Sequence, residues 1–264
     1  MASAEKIVFR AGGFAPKLIR WVAPTGFVFL LAAWEWAARS GFISPITAPP
    51  PSEIVGALDR LFRSGDIWLH LSASLQRLSL GWTAGTCVGL IVGLGAGLFT
   101  PLRSIVLPFV SAIFPIPKIA LLPLFIVWFG IGEESKFATI FFGTLFPTII
   151  AACAGADNVD RTLIRMAQSF GLPWFAIVRK IIVPGAMPGI IAGFRISASI
   201  AIILLVAAEM IGAEYGLGAY VLQAGNLMAS DALLAGIFLL SALGLSVNLA
   251  INVLEKRLLG WRLP

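Results

Sequence analysis

Residues 78–102 read LSLGWTAGTCVGLIVGLGAGLFTPL, a stretch without a single charged side chain. A helix needs about 20 apolar residues to cross the roughly 30 Å hydrocarbon core of a bilayer, so this stretch is long enough. Residues 137–156 and 232–254 form two further uncharged runs. The 264-residue chain is 59% hydrophobic and 12% charged, with a mean hydropathy of +0.95, whereas soluble domains carry about a quarter charged residues. The sequence therefore predicts an all-α, polytopic membrane protein and excludes collagen, disordered polymers, disulfide scaffolds and soluble enzymes.

The most economical interpretation is a single membrane domain, 1–264, with about six transmembrane helices. The predicted spans are 20–39, 74–99, 105–130, 136–156, 189–212 and 232–253. Between the first two, the proline-rich segment 44–53 is predicted to be extended, and an amphipathic helix is predicted at about 53–63. In the third span, Pro115, Pro117 and Pro123 predict a broken or kinked helix.

The basic residues predict how the chain is oriented. Most of the 19 Lys and Arg residues fall on one side of this assignment, and Lys118 lies within a span. Those on the opposite side are Arg39, Arg60, Arg63, Arg77 and Lys136. Cytoplasmic loops carry the excess of Lys and Arg, which places the N-terminal segment 1–19, the loop 157–188 and the tail 254–264 in the cytoplasm. The net charge of +6 is therefore explained by how the chain is oriented in the membrane, and no nucleic-acid partner is expected.

The second span carries a glycine every four residues. These glycines are Gly81, Gly85, Gly89, Gly93 and Gly97. On a helix this spacing produces one continuous groove, and small residues let the backbones of membrane helices approach closely. Two interpretations remain open: the groove packs against another helix of the same chain, or it forms a dimer seam that lines a pore.

The sequence contains none of the common catalytic motifs. It lacks the G-x-x-x-x-G-K-[ST] pattern, so no P-loop for ATP is expected on this chain. The only histidine, His70, is expected to be a solvated surface residue near the outer membrane edge. Cys87 and Cys153 stand alone in apolar runs, so neither a disulfide framework nor a zinc site is predicted. We expect no catalytic residues and no metal.

The segment 157–188 has the composition of an ordered helix–turn–helix. Asp160 can cap a first short helix, and Gly171 can end it in the left-handed conformation. Pro173 can open a second short helix, after which Pro184 and Pro188 are expected to break the chain before the fifth span. Such an amphipathic unit is typical of a docking surface, although it could also lie on lipid headgroups.

This segment resembles a known family. Ala167, Gly171, Ile181, Val183 and Pro184 have the spacing A-x3-G-x9-I-x-V-P, which is similar to the "EAA" loop, E-A-A-x3-G-x9-I-x-L-P, of permease subunits in binding-protein-dependent ABC importers. The resemblance covers roughly 60–264. PIPKIALLPLFIVWFGIGEESK (115–136), AAEMIGAEYGLG (207–218) and LEKRLLGWR (254–262) resemble the nitrate/sulfonate/taurine-type branch.

The resemblance implies a coupling loop that contacts an ATPase. The residues that match the motif are Arg165, Met166, Ala167, Gly171, Ile181 and Pro184. The short helix around Arg165–Gly171 would be the coupling helix, and Pro184 would set the angle at which the loop re-enters the membrane. The family's glutamate falls at Arg165 and its first alanine at Met166, so a salt bridge made by that glutamate cannot be transferred to this chain.

The resemblance also implies partners and a substrate class. It implies a second permease copy, two ATPase subunits that carry ATP and Mg, and an extracytoplasmic binding protein, all at a bacterial inner membrane. No cofactor is expected on this chain. The expected solute is a small anion, such as an aliphatic sulfonate, taurine or nitrate. A pyrimidine vitamin precursor or an aromatic acid is the alternative substrate, and an ion-coupled secondary transporter is the alternative class of protein.

Four charged residues lie within or at the edges of the predicted spans. Glu35 and Arg39 are spaced as a local ion pair, and Arg195 is close enough to the cytoplasmic end to reach water. Lys118 and Glu209 are candidates for the translocation pathway, because intramembrane charges are costly and need a partner or water. Alternatively, each has a structural partner, which could be the other.

Overall fold

The computed structural model describes residues 21–260, which fold into helices without a strand in that range. The helices, in chain order, are α1 (Val22–Arg39), α2 (Pro51–Ser64), α3 (Asp66–Leu98), α4 (Thr100–Ile113), α5 (Leu122–Phe129), α6 (Glu133–Asp157), α7 (Arg161–Ser169), α8 (Trp174–Ile177), α9 (Val183–Gly212), α10 (Leu217–Asn226) and α11 (Ser230–Leu258). The predicted all-α class is confirmed. The N-terminal segment 1–19 and the last residues of the tail 254–264 lie outside the described residues.

The number of spans is close to the predicted six. Within the described chain, four helices are long and apolar enough to cross a membrane: α3, α6, the continuous helix Trp174–Gly212, and α11. A fifth span results if α4 and the 118–129 helices are counted together. The first predicted span, 20–39, coincides with α1. This helix is 18 residues long, carries the charged residues Glu35 and Arg39, and is not among the helices that are long and apolar enough to be counted as spans. The amphipathic helix expected at 53–63 is confirmed as α2.

The third span is broken, as its prolines predict. Helix α4 ends at Ile113, a 3₁₀ turn follows at Lys118–Leu121, and α5 continues from Leu122. The two halves meet at 88°. The missing N–H groups of Pro115 and Pro117 explain why a regular helix cannot pass this point.

The predicted break at Pro184 and Pro188 is wrong. One helix runs without interruption from Trp174 to Gly212, and it passes through a π-helical turn at Val178–Ile182. Membrane helices tolerate proline because local π adjustments and neighbouring helices satisfy the backbone groups that proline leaves free. The second helix of the 157–188 loop is therefore the beginning of the helix that forms the predicted span 189–212.

Helix α6 is the centre of the bundle, and the glycine stripe of α3 packs against it. A Cβ at Gly85 would lie 2.7 Å from the carbonyl oxygen of Phe141, and a Cβ at Gly93 would lie 2.6 Å from that of Ile149. Gly81, Gly89 and Gly97 are equally close to atoms of α6. The partner of the stripe is thus a helix of the same chain, and the alternative of a dimer seam is wrong.

Helix α9 packs on another face of α6 through a second set of small residues. A Cβ at Gly193 would lie 2.2 Å from the Cβ of Ala151, and one at Gly189 would lie 3.0 Å from the Cα of Gly155. Small residues at four-residue spacing therefore hold both neighbours of α6 close. Helix α10, which follows α9 after a short turn, was not predicted.

Candidate functional sites: the 157–188 loop and a buried polar network

The first helix of the loop begins with the predicted cap. The side chain of Asp160 accepts a hydrogen bond from the backbone N–H of Thr162 at 2.7 Å, directly before α7. A carboxylate in this position satisfies one of the N–H groups that a helix leaves free at its first turn, and it also interacts favourably with the helix dipole. The beginning of α7 is therefore determined by the local sequence.

The end of α7 explains the spacing of the motif. The N–H of Gly171 donates to the carbonyl of Gln168 at 2.9 Å, and the N–H of Leu172 donates to that of Ala167 at 3.1 Å. These two bonds form a Schellman motif, which requires a left-handed residue at the position of Gly171. Its φ is +71°, and a Cβ there would meet no atom within 4 Å. Glycine is needed here for its backbone conformation and not for space.

The two faces of the loop differ in exposure. Ala167 is buried, and Ile164, Ile181 and Ile182 pack against the apolar cluster that joins α6 and α9. The outer face exposes several large apolar side chains next to the exposed Arg165. These side chains are Leu163, Met166, Phe170, Trp174 and Phe175. The structure thus places Arg165 and Met166 on the outer face, and it places Ala167, Ile181 and Pro184 towards the bundle.

Two contacts anchor this end of the bundle. The guanidinium of Arg103, at the start of α4, donates two hydrogen bonds to the carboxylate of Asp157, both 2.7 Å long. Phe99 packs on Trp174 with ring centroids 5.5 Å apart. The corner between α3 and α4 is thereby held against the end of α6 and the start of α8.

Glu209 is at the centre of a polar network at the opposite end of the bundle. Its side chain is fully buried and accepts hydrogen bonds from Ser74 Oγ at 2.7 Å, Arg77 Nη1 at 2.9 Å and the N–H of Gly218 at 2.8 Å. Ser74 Oγ in turn accepts from the N–H of Leu217 at 2.8 Å. The network therefore fastens the turn between α9 and α10 to α3.

Arg77 extends this network to α6. Its guanidinium donates to the two carboxylate oxygens of Glu133 at 2.6 and 2.7 Å and to the carbonyl of Tyr215 at 2.6 Å. Lys136 lies beside Glu133 at 3.4 Å. The two cations and the two carboxylates balance each other, so the network has no net charge.

Sequence reasoning missed Arg77, and it misplaced His70. His70 is buried, with 8% of its surface exposed, and its Nδ1 accepts a hydrogen bond from the N–H of Gly216 at 3.1 Å. The expectation of a solvated surface histidine is therefore wrong. The signal that could have found both residues is their spacing with Ser74: 70, 74 and 77 share one face of a helix.

Lys118 has contacts of its own and does not pair with Glu209. Its Nζ donates to the carbonyl oxygens of Ile113, Phe114 and Ile116 at 3.0, 2.6 and 2.8 Å. The ammonium also lies over the rings of Phe114 and Phe146, at 5.3 and 5.5 Å from their centroids. Lys118 thus occupies the bend of the broken span, where it satisfies the carbonyls of Phe114 and Ile116 and adds a second donor to that of Ile113, which also accepts from the N–H of Ile116. The pathway roles of Lys118 and Glu209 stay predictions.

The predicted ion pair within α1 is present. Arg39 Nε donates to Glu35 at 2.5 Å, and Ser52, at the start of α2, donates to the same carboxylate. Within residues 21–260, no group of three or more His, Cys, Asp or Glu side chains is arranged to hold a metal ion.

The sequence of the chain matches a known protein family and several known transport proteins. The family model described as "Binding-protein-dependent transport system inner membrane component" matches residues 85–260. The chain is 37% identical to the taurine transport system permease protein TauC of Escherichia coli K12, over 88% of this chain and 86% of that protein. It is 34% identical to the putative aliphatic sulfonates transport permease protein SsuC of the same organism, over 91% of this chain and 90% of that protein.

A solved structure shares the fold. A chain of the MetNI methionine ABC transporter in an inward-facing conformation superimposes with a TM-score of 0.60 and 21% identity, over 73% of this chain and 97% of that chain. This likeness concerns the fold alone, whereas the family model and the relatives match the sequence itself. The chain therefore belongs to the family of inner membrane components of binding-protein-dependent transport systems, as its sequence predicts, and is a transport subunit rather than an enzyme.

Proposed function

We propose that this chain is the permease subunit of an ATP-driven importer of taurine or a related aliphatic sulfonate. The substrate class is supported by the relatives, because TauC and SsuC of Escherichia coli are 37% and 34% identical to this chain over 88% and 91% of its length. An extracytoplasmic binding protein delivers the sulfonate, and ATP and Mg are bound by separate ATPase subunits. The chain itself supplies the membrane passage and the surface on which the ATPase acts.

The observation that carries the ATP-driven part of the proposal is the form of the 157–188 loop. Helix α7 is capped at both ends and presents exposed apolar side chains, including Met166 and Phe170, to a partner. The loop then continues without a break into the helix Trp174–Gly212. A displacement of α7 by the ATPase would therefore be transmitted directly along a helix that crosses the membrane.

Arg165 sets the chemistry that the ATPase must offer. Since Arg165 is exposed beside the apolar side chains of α7, the matching groove presents an acidic or neutral group at that point. This differs from the family pattern, in which a glutamate occupies the same position. The ATPase that pairs with this chain is accordingly expected to have a complementary sequence in its groove.

We also propose an orientation and a stoichiometry. The excess of Lys and Arg at the termini and in the 157–188 loop supports a cytoplasmic position for all three in a bacterial inner membrane. Two identical copies, each with one ATPase, complete the passage. No contact in residues 21–260 favours nitrate, a pyrimidine vitamin precursor, an aromatic acid or ion-coupled transport. The reconstitution experiment below can distinguish these alternatives from sulfonate import.

The test is reconstitution of the complete importer. The chain is co-expressed with the ATPase encoded beside it, purified, placed in proteoliposomes and supplied with the binding protein and ATP. We expect ATP-dependent uptake of radiolabelled taurine. Uptake that proceeds without ATP under an ion gradient would refute the ABC assignment, and uptake of nitrate but not of sulfonates would refute the substrate class.

Two variants of Gly171 test the coupling loop within the same assay. Valine in the left-handed conformation costs about 1–2 kcal/mol or more, whereas asparagine tolerates it. Since a Cβ at this position meets no atom within 4 Å, the two variants differ mainly in this backbone cost. We expect Gly171→Val to abolish the stimulation of ATP hydrolysis by the binding protein and Gly171→Asn to retain most of it. Equal activity of both would refute the role of the loop.

A further inference from the structure

Lys118 lies near the middle of the membrane-crossing bundle. Its ammonium stands over the ring of Phe146, which is close to the midpoint of the 25-residue helix α6. Since α6 is long and apolar enough to cross a membrane, the bend that contains Lys118 lies well inside the apolar layer. A charge at this depth is costly and is usually found where it has a partner or a function.

Lys118 differs from the other described cations of the predicted spans because it has no carboxylate beside it. Each of the others forms a salt bridge with a glutamate; they are Arg39, Arg77, Lys136 and Arg195. Within residues 21–260 the ammonium of Lys118 forms no salt bridge and donates to three carbonyl oxygens, which carry no formal charge. The bend therefore has one net positive charge near the middle of the membrane.

The backbone of the bend also lacks partners. Residues 114–117 are not helical, and most of the bend is exposed on this chain. Within the described part of the chain, the carbonyl of Pro115 and the N–H groups of Lys118 and Ile119 form no hydrogen bond. Lipid chains cannot satisfy such groups, so irregular backbone at membrane depth occurs only where it is buried in protein or lines a water-filled cavity. The groups of the bend therefore need either water or a second copy of the chain.

The ammonium of Lys118 is held so that it can act on a solute only through its charge. A protonated lysine has three N–H donors, and all three are used by carbonyl oxygens of the bend. No donor remains for direct contact with an anion. Attraction across water at a distance of several ångströms is weak, and this suits a transport route, because a solute must be attracted enough to enter and still be able to leave.

We propose that the bend lines the water-filled passage of the importer and that the fixed charge of Lys118 makes this part of the passage selective for anions. The inference rests on the proposed import of sulfonates. The charge attracts the sulfonate group of the solute and repels inorganic cations at the same place. For taurine, which also carries an ammonium group, it favours passage with the sulfonate directed towards the bend.

The experiment compares how fast an anionic and a cationic reagent reach a thiol at the bend. The side chain of Ile116 is 41% exposed, so Ile116→Cys is introduced into a permease whose own thiols are removed by Cys87→Ser and Cys153→Ala. The permease–ATPase complex is placed in phosphatidylcholine nanodiscs, with and without ATP. It is treated with methanethiosulfonates that carry either a 2-sulfonatoethyl or a 2-(trimethylammonio)ethyl group. The mass of the intact permease chain gives each rate of modification.

Ser64→Cys is the matched control, because Ser64 is exposed at the end of α2, which packs on α11 and not on the bend. Relative to this control, we expect the thiol of Ile116→Cys to prefer the anionic reagent. Lys118→Gln should lower the preference about four- to tenfold, since one unit charge about 8 Å away in water changes the two rates about two- to threefold in opposite directions. Glutamine still donates N–H groups to the carbonyls, so this variant removes the charge but not every hydrogen bond. Lys118→Arg should retain the preference, and about 1 M salt should reduce it by screening.

Two results would overturn the proposal. If the thiol of Ile116→Cys reacts with neither reagent, with or without ATP, while the control thiol reacts, the bend faces lipid or the second copy of the chain. If it reacts but Lys118→Gln leaves the preference unchanged, the charge does not select anions. In both cases uptake of taurine by the wild-type importer leaves the proposed function intact. If the preference depends on Lys118 but the wild-type importer takes up no sulfonate, the anion-selective bend is supported and the proposed substrate fails. Should Lys118→Gln not assemble, the effect of salt with Lys118 in place decides.

Discussion

The packing of α3 on α6 can be tested by adding one methyl group at a time. Gly85 and Gly93 lie on the stripe that faces α6, and Gly95 lies on the same helix away from it. A Cβ at Gly95 would meet only the end of the flexible Leu102 side chain, at 2.8 Å. The three Gly→Ala variants therefore differ in what the new methyl group meets, while the helix that carries them is the same.

The expected magnitude follows from the distances. Ordinary van der Waals contact begins near 3.4 Å, whereas the new Cβ would lie 2.7 Å from the Phe141 carbonyl oxygen at Gly85 and 2.6 Å from that of Ile149 at Gly93. The backbones of α3 and α6 must separate by roughly 0.7–0.8 Å, and such overpacking costs about 1–3 kcal/mol. Alanine also has a higher helix propensity than glycine, by about 1 kcal/mol, but this gain is common to all three variants.

The quantity to measure is the difference between variants on and off the stripe. We expect Gly85→Ala and Gly93→Ala to have a free energy of unfolding about 1–3 kcal/mol below that of Gly95→Ala. Reversible unfolding of the purified chain by a denaturing detergent in mixed micelles, followed by circular dichroism, gives each value. Wild type and Gly95→Ala should be equally stable, or the variant slightly more stable.

Two results would refute this reasoning. If the three variants are equally stable, α3 and α6 do not approach as closely as the structure has them. If Gly85→Ala and Gly93→Ala leave unfolding unchanged but separate the two copies of the permease, the stripe is a dimer contact after all. Size-exclusion chromatography with light scattering in the same detergent distinguishes these cases.

Three further substitutions test the polar contacts. Glu209→Gln removes the buried negative charge that pairs with Arg77 and turns an N–H₂ group towards a donor of the network, so it should lower the free energy of unfolding by up to about 3–5 kcal/mol. Loss of uptake at unchanged stability would instead support a direct role of Glu209 in the pathway. Lys118→Met leaves the carbonyls of Phe114 and Ile116 without a donor and should speed hydrogen exchange in 113–122, as measured by mass spectrometry. Unchanged exchange would contradict the role of Lys118 at the bend. Asp160→Ala removes the cap of α7 at a cost of about 1 kcal/mol, so faster exchange in α7 is expected, and exchange as slow as in wild type would contradict it.

Local chemistry made several features predictable. The cap at Asp160, the left-handed Gly171 and the break at Pro115 and Pro117 each depend on residues within one or two turns of the chain. The free N–H groups of a helix end, the missing Cβ of glycine and the missing N–H of proline act at that range. Sequence reasoning was correct at all three places.

The failures occurred where a distant contact or the membrane overrode a local rule. Pro184 and Pro188 do not end a helix here, because a π-helical turn and neighbouring helices satisfy the backbone groups that proline leaves free. His70 was expected in water, but residues 146 positions further along the chain cover it. Neither outcome could be derived from the residues next to these positions.

The sequence by itself determined that the chain crosses a membrane several times, that α3 packs closely against another helix, and that a capped loop follows α6. Length of apolar runs, glycine spacing and capping residues are properties of a segment, so they can be read along the chain. Only the tertiary structure decided that α6 is the partner of the glycine stripe, that Arg77 and Glu209 share one network, and that the ammonium of Lys118 lies over Phe146 near the middle of α6. These pairings depend on how helices far apart in sequence are arranged, because side chains on different helices interact only after the bundle has brought them within a few ångströms.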